Sequence, residues 1–295
     1  MLGKLDLTKT TDDAAFEKTL EGYKNRLNVL QRALREKKIP VMIVIEGWNA
    51  SGITMAVHEI IHALDPRGYM LHSIEKPTEE ERARPFLWRF WLRTPPRGRI
   101  AIFARSWYSR AITEEMQKHT WEKSLKGRAG QINNFERQIS DDGTVILKFF
   151  LHITKEEQKA RLEERERNPL TACLVTPSIW NVHRHYDDSF PVINEFIVRT
   201  HTEHAPWTLV EATDRKFAIL KIYAAIIKTL EKRIETTGDE QKKTKPKEIP
   251  KPKKNAVKRH SHPEKVFTKD ELQETMASLQ IEMLELHYQI GRAHV

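Results

Sequence analysis

A glycine-rich stretch at residues 47–54 carries the clearest chemical signal in the chain. It reads Gly-Trp-Asn-Ala-Ser-Gly-Ile-Thr, follows an uninterrupted apolar run and precedes a helical pattern. Gly47 and Gly52 have the spacing of the phosphate-binding loop G-x-x-x-x-G-K-[ST], in which backbone N–H groups and a helix N-terminus face the phosphates. Thr54 keeps the hydroxyl position, whereas Ile53 occupies the lysine position. The sequence therefore predicts a phosphate cradle without the charge that normally meets the transferred phosphate.

An ordinary strand-to-helix turn is the alternative for this loop, and basic residues at other predicted strand ends favour the phosphate interpretation. Lys76 follows the second predicted strand, and Arg105 and Arg110 follow the third. Ligands gather at the carboxyl ends of strands in an open parallel sheet, and arginine binds phosphate through paired donors. A surface lysine, or an arginine paired with a neighbouring glutamate, is the alternative at these positions. Ala104 stands where a P-loop kinase has an acid for Mg²⁺.

A basic stretch at residues 161–185, which includes Arg184, could form a mobile lid that excludes water and clamps phosphates. A solvated helix face is the alternative for the arginines at its start. His183 and His185 are a poor metal pair in a helix, and no Cys/His cluster has zinc spacing. We therefore expect no metal ligands.

Alternating strands and helices must position these residues. The predicted strands are continuous apolar runs at 41–45, 69–74, 99–104, 145–153 and 206–211. The predicted helices cover 13–38, the stretch after the loop, 78 to the prolines at 95–96, 111–140, 154–167, 189–200 and 214–235, with 168–190 irregular or mixed. Such runs predict a parallel sheet of about five strands with helices on both faces, an α/β fold of three αβα layers.

The composition limits the compartment and the partners. One cysteine among 295 residues fits a reducing compartment, and the absence of a long apolar run predicts no membrane span. We see no signal peptide and expect a cytoplasmic protein. Residues 241–265 hold most of the net charge of +9, so the basic character is local and does not predict specific nucleic-acid binding.

The chain divides into five predicted segments. They are an N-terminal helix at 1–40, a kinase-like domain at 41–235, a basic Lys/Pro-rich disordered linker at 236–265, the first helix of a truncated second domain at 266–289, and a non-native tail at 290–295.

The motifs together identify a family. The chain resembles the polyphosphate kinase 2 family over about residues 15–235, and the matching stretches are 47–52, 76–81, 105–110, 183–187 and 205–207. The resemblance implies a P-loop kinase with a helical lid, which moves phosphoryl groups between inorganic polyphosphate and nucleotides with Mg²⁺. One branch, polyphosphate:AMP phosphotransferase, fuses two such domains and uses the C-terminal copy for catalysis. The linker and the restarting helix resemble that branch.

The departures from the family are all losses of charge. The resemblance implies Asp and Lys in the loop, Asp before Arg-Ser-Trp-Tyr, and Trp-Lys-Val-Thr-Pro-x-Asp in the lid. The substituted positions are Asn49, Ile53, Ala104, Cys173, Leu174 and Ile179. Losing one donor of this kind lowers a rate about 10²–10³-fold, so we expect no intact catalytic residues and no Mg²⁺ bound by this domain.

Two hypotheses follow for the function. In the first, the chain is the inactive N-terminal domain of a polyphosphate:AMP phosphotransferase, and it is structural or holds polyphosphate through Lys76, Arg105, Arg110 and Arg184. In the second, it is a stand-alone pseudokinase that binds polyanions or a partner protein. A third, an active kinase with relocated catalytic groups, is disfavoured. We expect a homo-oligomer, although the aromatic residues between 88 and 107 favour a core over an interface.

Overall fold

Five strands form one parallel sheet in the computed structural model, which describes residues 1–116, 121–169, 171–243 and eight positions between 268 and 282. Within these ranges, the structure describes all side chains except those of residues 113–116, 121–125 and 238–243. The strands are β1 (Val41–Gly47), β2 (Tyr69–Ser73), β3 (Ile100–Ala104), β4 (Val145–His152) and β5 (Trp207–Glu211). Their order is β2-β3-β1-β4-β5, and all four pairings are parallel. The predicted α/β fold is confirmed.

The central strand explains why the apolar runs are continuous. β1 pairs with β3 on one side and β4 on the other, and its residues from Val41 to Glu46 are buried. A strand covered on both faces has no solvent side, so alternation is lost. Because the chain moves to one side of β1 for β2 and β3 and to the other for β4 and β5, the carboxyl end of β1 is where ligands bind in such sheets.

Ten α-helices accompany the sheet within residues 1–243 of the described chain. They are α1 (Asp13–Glu36), α2 (Ile53–His62), α3 (Glu79–Arg82), α4 (Trp88–Trp91), α5 (Trp107–Met116), α6 (Trp121–Asp141), α7 (Lys155–Arg167), α8 (Pro177–Arg184), α9 (Tyr186–Arg199) and α10 (Arg215–Lys243). The first helix packs on the last, where Tyr23 and Tyr223 stack with ring centroids 6.3 Å apart. No described helix combines the length and apolar character needed to cross a membrane.

One sequence-based assignment of a helix was wrong. The single helix predicted from Thr78 is two short helices, α3 and α4, because Pro85 lies between them and cannot donate a helical N–H. The Thr78 capping box does form. The stretch at 168–190, predicted to be irregular or mixed, contains a 3₁₀ turn at Ala172–Leu174 before α8, which opens on Pro177 at a first-turn position that suits proline.

Residues 1–244 form one compact unit and 245–295 another. Of the predicted linker, most lies outside the described residues, and the predicted tail at 290–295 lies wholly outside them. Between 268 and 282 the described positions are helical from Asp270 onward, and the Thr268 N–H is bonded to the Glu271 carboxylate at 2.9 Å. That these residues begin a second domain stays a prediction.

A fully buried ion pair joins the sheet to the helices. The Lys148 ammonium on β4 donates to the Glu136 carboxylate of α6 at 2.7 Å, and neither side chain is exposed. The same ammonium donates to the Tyr108 hydroxyl and to the Thr200 carbonyl. The carboxylate also accepts from the Tyr108 hydroxyl and the Trp107 indole, so the network is satisfied on all sides. Burial, followed by Glu136, raises the pKa of Tyr108 well above its usual value.

Replacing Glu136 with leucine should lower the free energy of unfolding by about 3–5 kcal/mol, because the Lys148 ammonium would stay buried without its counter-charge. The double variant Glu136→Leu/Lys148→Met should recover much of that loss. Urea unfolding followed by circular dichroism measures both. Asp187→Asn breaks the more exposed pair with Lys155 and should change stability by less than about 1 kcal/mol. A loss that small in Glu136→Leu would contradict the expectation.

Candidate functional site

A cavity of about 540 Å³ lies at the carboxyl ends of β1, β2 and β3. The loop at 48–55 forms one wall, and α7 with the following turn forms another. Three arginines and one carboxylate line it within the described residues: Arg105, Arg165, Arg215 and Glu164. Cations therefore exceed acids around a cavity that begins at the predicted phosphate loop.

Close packing and an unusual backbone conformation explain both glycines of the loop. A Cβ added to Gly47 would lie 2.6 Å from the Leu151 carbonyl oxygen of the neighbouring strand. This distance is too short for two non-bonded atoms, and a paired backbone carbonyl cannot move away to relieve the clash. Gly52 has φ +105° and directly precedes α2. Ala50 also has positive φ, at 62°. The loop is thus shaped as the glycine spacing predicted.

The first turn of α2 faces the cavity without a side-chain cap. Gly52 at the N-cap position supplies no side-chain acceptor, and Ile53, Thr54 and Met55 line the cavity. The first N–H groups of a helix have no partners within the helix, and its dipole favours negative charge at this end. An anion in the cavity would meet these donors.

Arg161 of α7 holds the loop from behind. Its guanidinium donates to the Ala50 carbonyl at 3.1 Å and to the Ala212 and Thr213 carbonyls at 2.8 and 2.7 Å. Only 4% of the residue is exposed, and Glu157 supplies its counter-charge at 2.5 Å. Burial lowers the pKa of Arg161 from its usual value, against the raising effect of Glu157. Arg161 is therefore neither a clamp in a lid nor part of a solvated face.

Asn49 and Arg105 meet at the mouth of the loop. Arg105 Nη2 donates to Asn49 Oδ1 at 2.6 Å, and Arg105 Nη1 donates to Ser109 Oγ at 3.3 Å. Gln158 of α7 donates to the Asn49 carbonyl at 3.0 Å. The guanidinium is therefore held in place by neutral groups, and its charge is not neutralised by Asn49 or Ser109.

Glu46 is a buried carboxylate that sequence reasoning overlooked, although an acid at the end of an apolar strand is visible in the chain. It accepts from Ser106 Oγ at 2.7 Å, from Ser109 Oγ at 2.5 Å and from the Ser109 N–H at 3.2 Å. The residue is 3% exposed. These donors fix the start of α5, and Ser109 in turn supports Arg105.

The residues present do not fit the Mg²⁺ that the family resemblance implies. Mg²⁺ needs oxygen ligands, usually one or two carboxylates, and the expected positions hold Asn49 and Ala104. Asn49 Oδ1 accepts from Arg105, and Glu46 is occupied by two serines. Glu164 lies 3.8 Å from the Arg215 guanidinium.

An aromatic contact joins the loop to the helices after α7. Trp48 stacks on Tyr186 with ring centroids 4.0 Å apart, and its indole donates to His152 Nδ1 at 2.9 Å. A second connection runs from His183, whose Nδ1 lies 2.8 Å from Gln158 Oε1, through Gln158 to the loop. The loop and this predicted lid are thus packed together.

Several predicted anion-binding residues lie away from the cavity. Lys76 is exposed. Arg110 lies 5.0 Å from the Phe86 ring centroid and donates to the Phe86 carbonyl. Arg184 is exposed and donates to Asn181. Gly52, Thr54 and Arg105 line the cavity instead, whereas Gly47 at the end of β1 is not part of its lining. The anion-binding role of all seven residues stays a prediction.

Arg215 was missed as a cavity residue, whereas Arg165 lies in the basic stretch at 161–185 that was predicted to clamp phosphates. Burial, followed by repulsion from Arg215, lowers the pKa of Arg165. For Arg165 the alternative prediction was a solvated helix face. Arg215 follows the last strand and belongs to no recognisable sequence motif. Only the contact of α7 with the start of α10, where Arg215 lies 3.8 Å from Glu164, could have revealed that Arg215 belongs to the cavity.

The family model described as Polyphosphate kinase 2 matches residues 10–238. The chain belongs to the polyphosphate kinase 2 family. Polyphosphate:AMP phosphotransferase of Pseudomonas aeruginosa is 38% identical over 231 residues, which are 78% of this chain and 47% of that protein. AMP/ADP-polyphosphate phosphotransferase of Meiothermus ruber is 31% identical over 228 residues, which are 75% of this chain and 85% of that protein. The chain spans about half the length of the Pseudomonas relative.

Solved structures agree with the polyphosphate kinase 2 assignment. A polyphosphate kinase 2 structure from Pseudomonas aeruginosa matches with a TM-score of 0.76 at 38% identity, covering 79% of this chain and 50% of that one. The predicted family and its P-loop kinase-like fold are therefore confirmed.

Acid should destabilise this polyphosphate kinase 2 domain through His152. Burial lowers the pKa of His152 to about 4 from an ordinary 6.5, so the unfolded chain binds the proton first as the pH falls. The free energy of unfolding should be about 2 kcal/mol lower at pH 5 than at pH 7 from this group alone.

Urea unfolding at both pH values measures this effect. His152→Asn, which keeps an acceptor for the Trp48 indole, should flatten the pH dependence, whereas the exposed control His185→Asn should not. Equal pH dependence in His152→Asn and the unaltered chain would rule out this role.

Proposed function

We propose that this chain is a polyphosphate-binding copy of the polyphosphate kinase 2 domain that does not itself transfer phosphoryl groups. The observation that carries the proposal is the 2.6 Å hydrogen bond from Arg105 Nη2 to Asn49 Oδ1. The family resemblance implies a metal-handling aspartate at position 49, whereas here the arginine faces a neutral amide. An arginine that is positioned but not neutralised by this neighbour favours binding of an anion without a metal ion.

The surroundings of Arg105 support binding of an extended anion. Arg165 and Arg215 line the same cavity, and the uncapped first turn of α2 contributes backbone donors. Charge-assisted hydrogen bonds from guanidinium groups to phosphate are among the stronger ones in proteins. Inorganic polyphosphate, a chain of phosphates, can meet several of these donors at once.

Loss of turnover follows from the groups that are missing. Ile53, at the position of the loop lysine, is partly buried and packs against the core. No ammonium from that position can reach a transferred phosphate. With neutral residues also at 49 and 104, phosphoryl transfer loses the charge stabilisation on which it almost wholly depends.

We also infer that the chain is the N-terminal part of a two-domain polyphosphate:AMP phosphotransferase. The identity of 38% to the Pseudomonas relative against 31% to the Meiothermus relative supports this, as does the helical pattern after the basic segment. The whole protein would act on inorganic polyphosphate and an adenine nucleotide with Mg²⁺, in the cytoplasm and as a homo-oligomer. A Gly-x-Asp-Ala-Ala-Gly-Lys loop encoded beyond residue 289 would favour this over a stand-alone pseudokinase.

Arg105→Ala and Arg165→Ala should each weaken polyphosphate binding about 10- to 100-fold, because each removes a charged hydrogen-bond donor. Fluorescence anisotropy with end-labelled polyphosphate, in EDTA, measures the affinity. Arg184→Ala and Lys76→Ala remove predicted anion-binding residues that lie outside the cavity, and both should leave the affinity unchanged if the cavity is the binding site. Asn49→Asp should weaken metal-free binding, because it supplies Arg105 with a counter-charge. Equal losses in Arg184→Ala and Arg105→Ala, or strict dependence on Mg²⁺, would refute this assignment.

The unaltered chain should not phosphorylate AMP from polyphosphate and Mg²⁺ in an assay of ADP formation. The variant Asn49→Asp/Ile53→Lys/Ala104→Asp restores the missing charges, and any gain in it would show that the phosphate cradle is competent. Activity in the unaltered chain would overturn the inactive assignment, and binding measured as above would remain a separate result.

A further inference from the structure

A pair of histidines on α2 has no part in the cavity. His58 and His62 are four residues apart, both are exposed, and their Nε2 atoms lie 3.0 Å from each other. Their ring centroids are 4.2 Å apart. Residues at this spacing share one face of a helix, so both imidazoles present the same nitrogen to one point in solvent.

We propose that His58 and His62 form a binding site for a divalent transition-metal ion. The stretch His58-Glu59-Ile60-Ile61-His62 has H-E-x-x-H spacing, in which two histidines on one helical face bind the metal. The sequence-based statement that no Cys/His cluster has zinc spacing considered His183 and His185 and overlooked this pair.

The distance between the two nitrogens suits one shared ion. With metal–nitrogen bonds of about 2.0–2.1 Å, two ligands stand about 2.9 Å apart at a right angle and about 3.3 Å apart at the tetrahedral angle. The observed 3.0 Å lies between these values. Without metal, one neutral ring donates its Nε2 proton in a hydrogen bond to the Nε2 of the other ring. With metal, both rings would carry their proton on Nδ1, and the ion would take the place of the shared proton between the two Nε2 atoms.

The glutamate of the motif is not available for hydrolysis. Glu59 Oε2 lies 2.8 Å from the Lys24 ammonium of α1. The Glu59 carboxylate is therefore used in an ion pair between α1 and α2. Among the described residues, no group of three His, Cys, Asp or Glu side chains could hold a metal together. Water would complete the coordination, and the site joins two turns of the helix that opens at the phosphate loop.

Imidazole ligands determine which ions should bind. Two neutral nitrogen ligands favour Cu²⁺, Ni²⁺ and Zn²⁺, with affinity rising from Ni²⁺ to Cu²⁺ and falling again at Zn²⁺, whereas Mg²⁺ prefers oxygen. The site therefore makes no use of the ion that the family resemblance implies. Because the ion would bind the folded helix and not the unfolded chain, it should raise the unfolding temperature.

Isothermal titration of the untagged full chain with NiCl₂ and CuCl₂ tests the proposal. The unaltered chain should bind one more equivalent of metal than His58→Ala/His62→Ala, and only the unaltered chain should gain thermal stability from the ion. His185→Ala removes another exposed histidine and should keep that equivalent. Glu59→Gln should also keep it, because Glu59 is not a ligand.

Identical stoichiometry in the unaltered chain and the double variant would overturn the site, provided that circular dichroism shows both to be folded. Loss of the equivalent in His185→Ala would likewise overturn the assignment to α2. Zn²⁺-dependent peptide hydrolysis that disappears in Glu59→Gln would overturn the claim that the glutamate is unavailable.

Discussion

The cavity depends on one buried guanidinium. Arg161 binds carbonyls from the phosphate loop and from the connection after β5, two segments far apart in the chain, and it lies on the helix that forms another wall. Arg161 binds the Ala50 carbonyl, and Gln158 of the same helix binds the Asn49 carbonyl. Both hydrogen bonds direct these carbonyl oxygens towards α7 and away from the cavity. An anion would otherwise meet lone pairs there. The loop keeps its shape through this contact even though Ile53 supplies no charge.

The segment after β3 combines buried structural groups with one cavity-lining arginine in five consecutive residues. Ser106 and Ser109 bind the buried carboxylate of Glu46, while Trp107 and Tyr108 bind that of Glu136. Only Arg105 points its charge towards the cavity loop. Two buried carboxylates would lose their donors if this segment were altered, and each such loss leaves a costly unpaired group. The motif therefore has reasons to persist that are independent of catalysis.

The sheet could be predicted from the sequence because strands that are buried on both faces have continuous apolar runs, as β1 and β4 do. Local signals also placed the Thr78 capping box and the loop glycines. The sequence-based prediction failed for residues whose role depends on partners far away in the chain. Arg161 bonds to a carbonyl 111 positions earlier, so no local pattern distinguishes it from a solvated lysine or arginine. Arg215 and Glu46 were missed for the same reason, and Lys76, although it stands at a strand end, is exposed outside the cavity.

The division between structural and catalytic groups explains how a kinase-like domain could lose its chemistry and keep its fold. The neutral residues Asn49, Ile53 and Ala104 all line the cavity, where a charge is either solvated or meets substrate. The groups that hold the elements together, Glu46, Arg161 and Lys148, lie behind them and are almost wholly buried. Removing a charge from the cavity side leaves no buried partner uncompensated, whereas removing one from the inner side does. Loss of catalysis is therefore compatible with stability in this fold, and Asn49 also lets Arg105 keep its position beside a neutral acceptor.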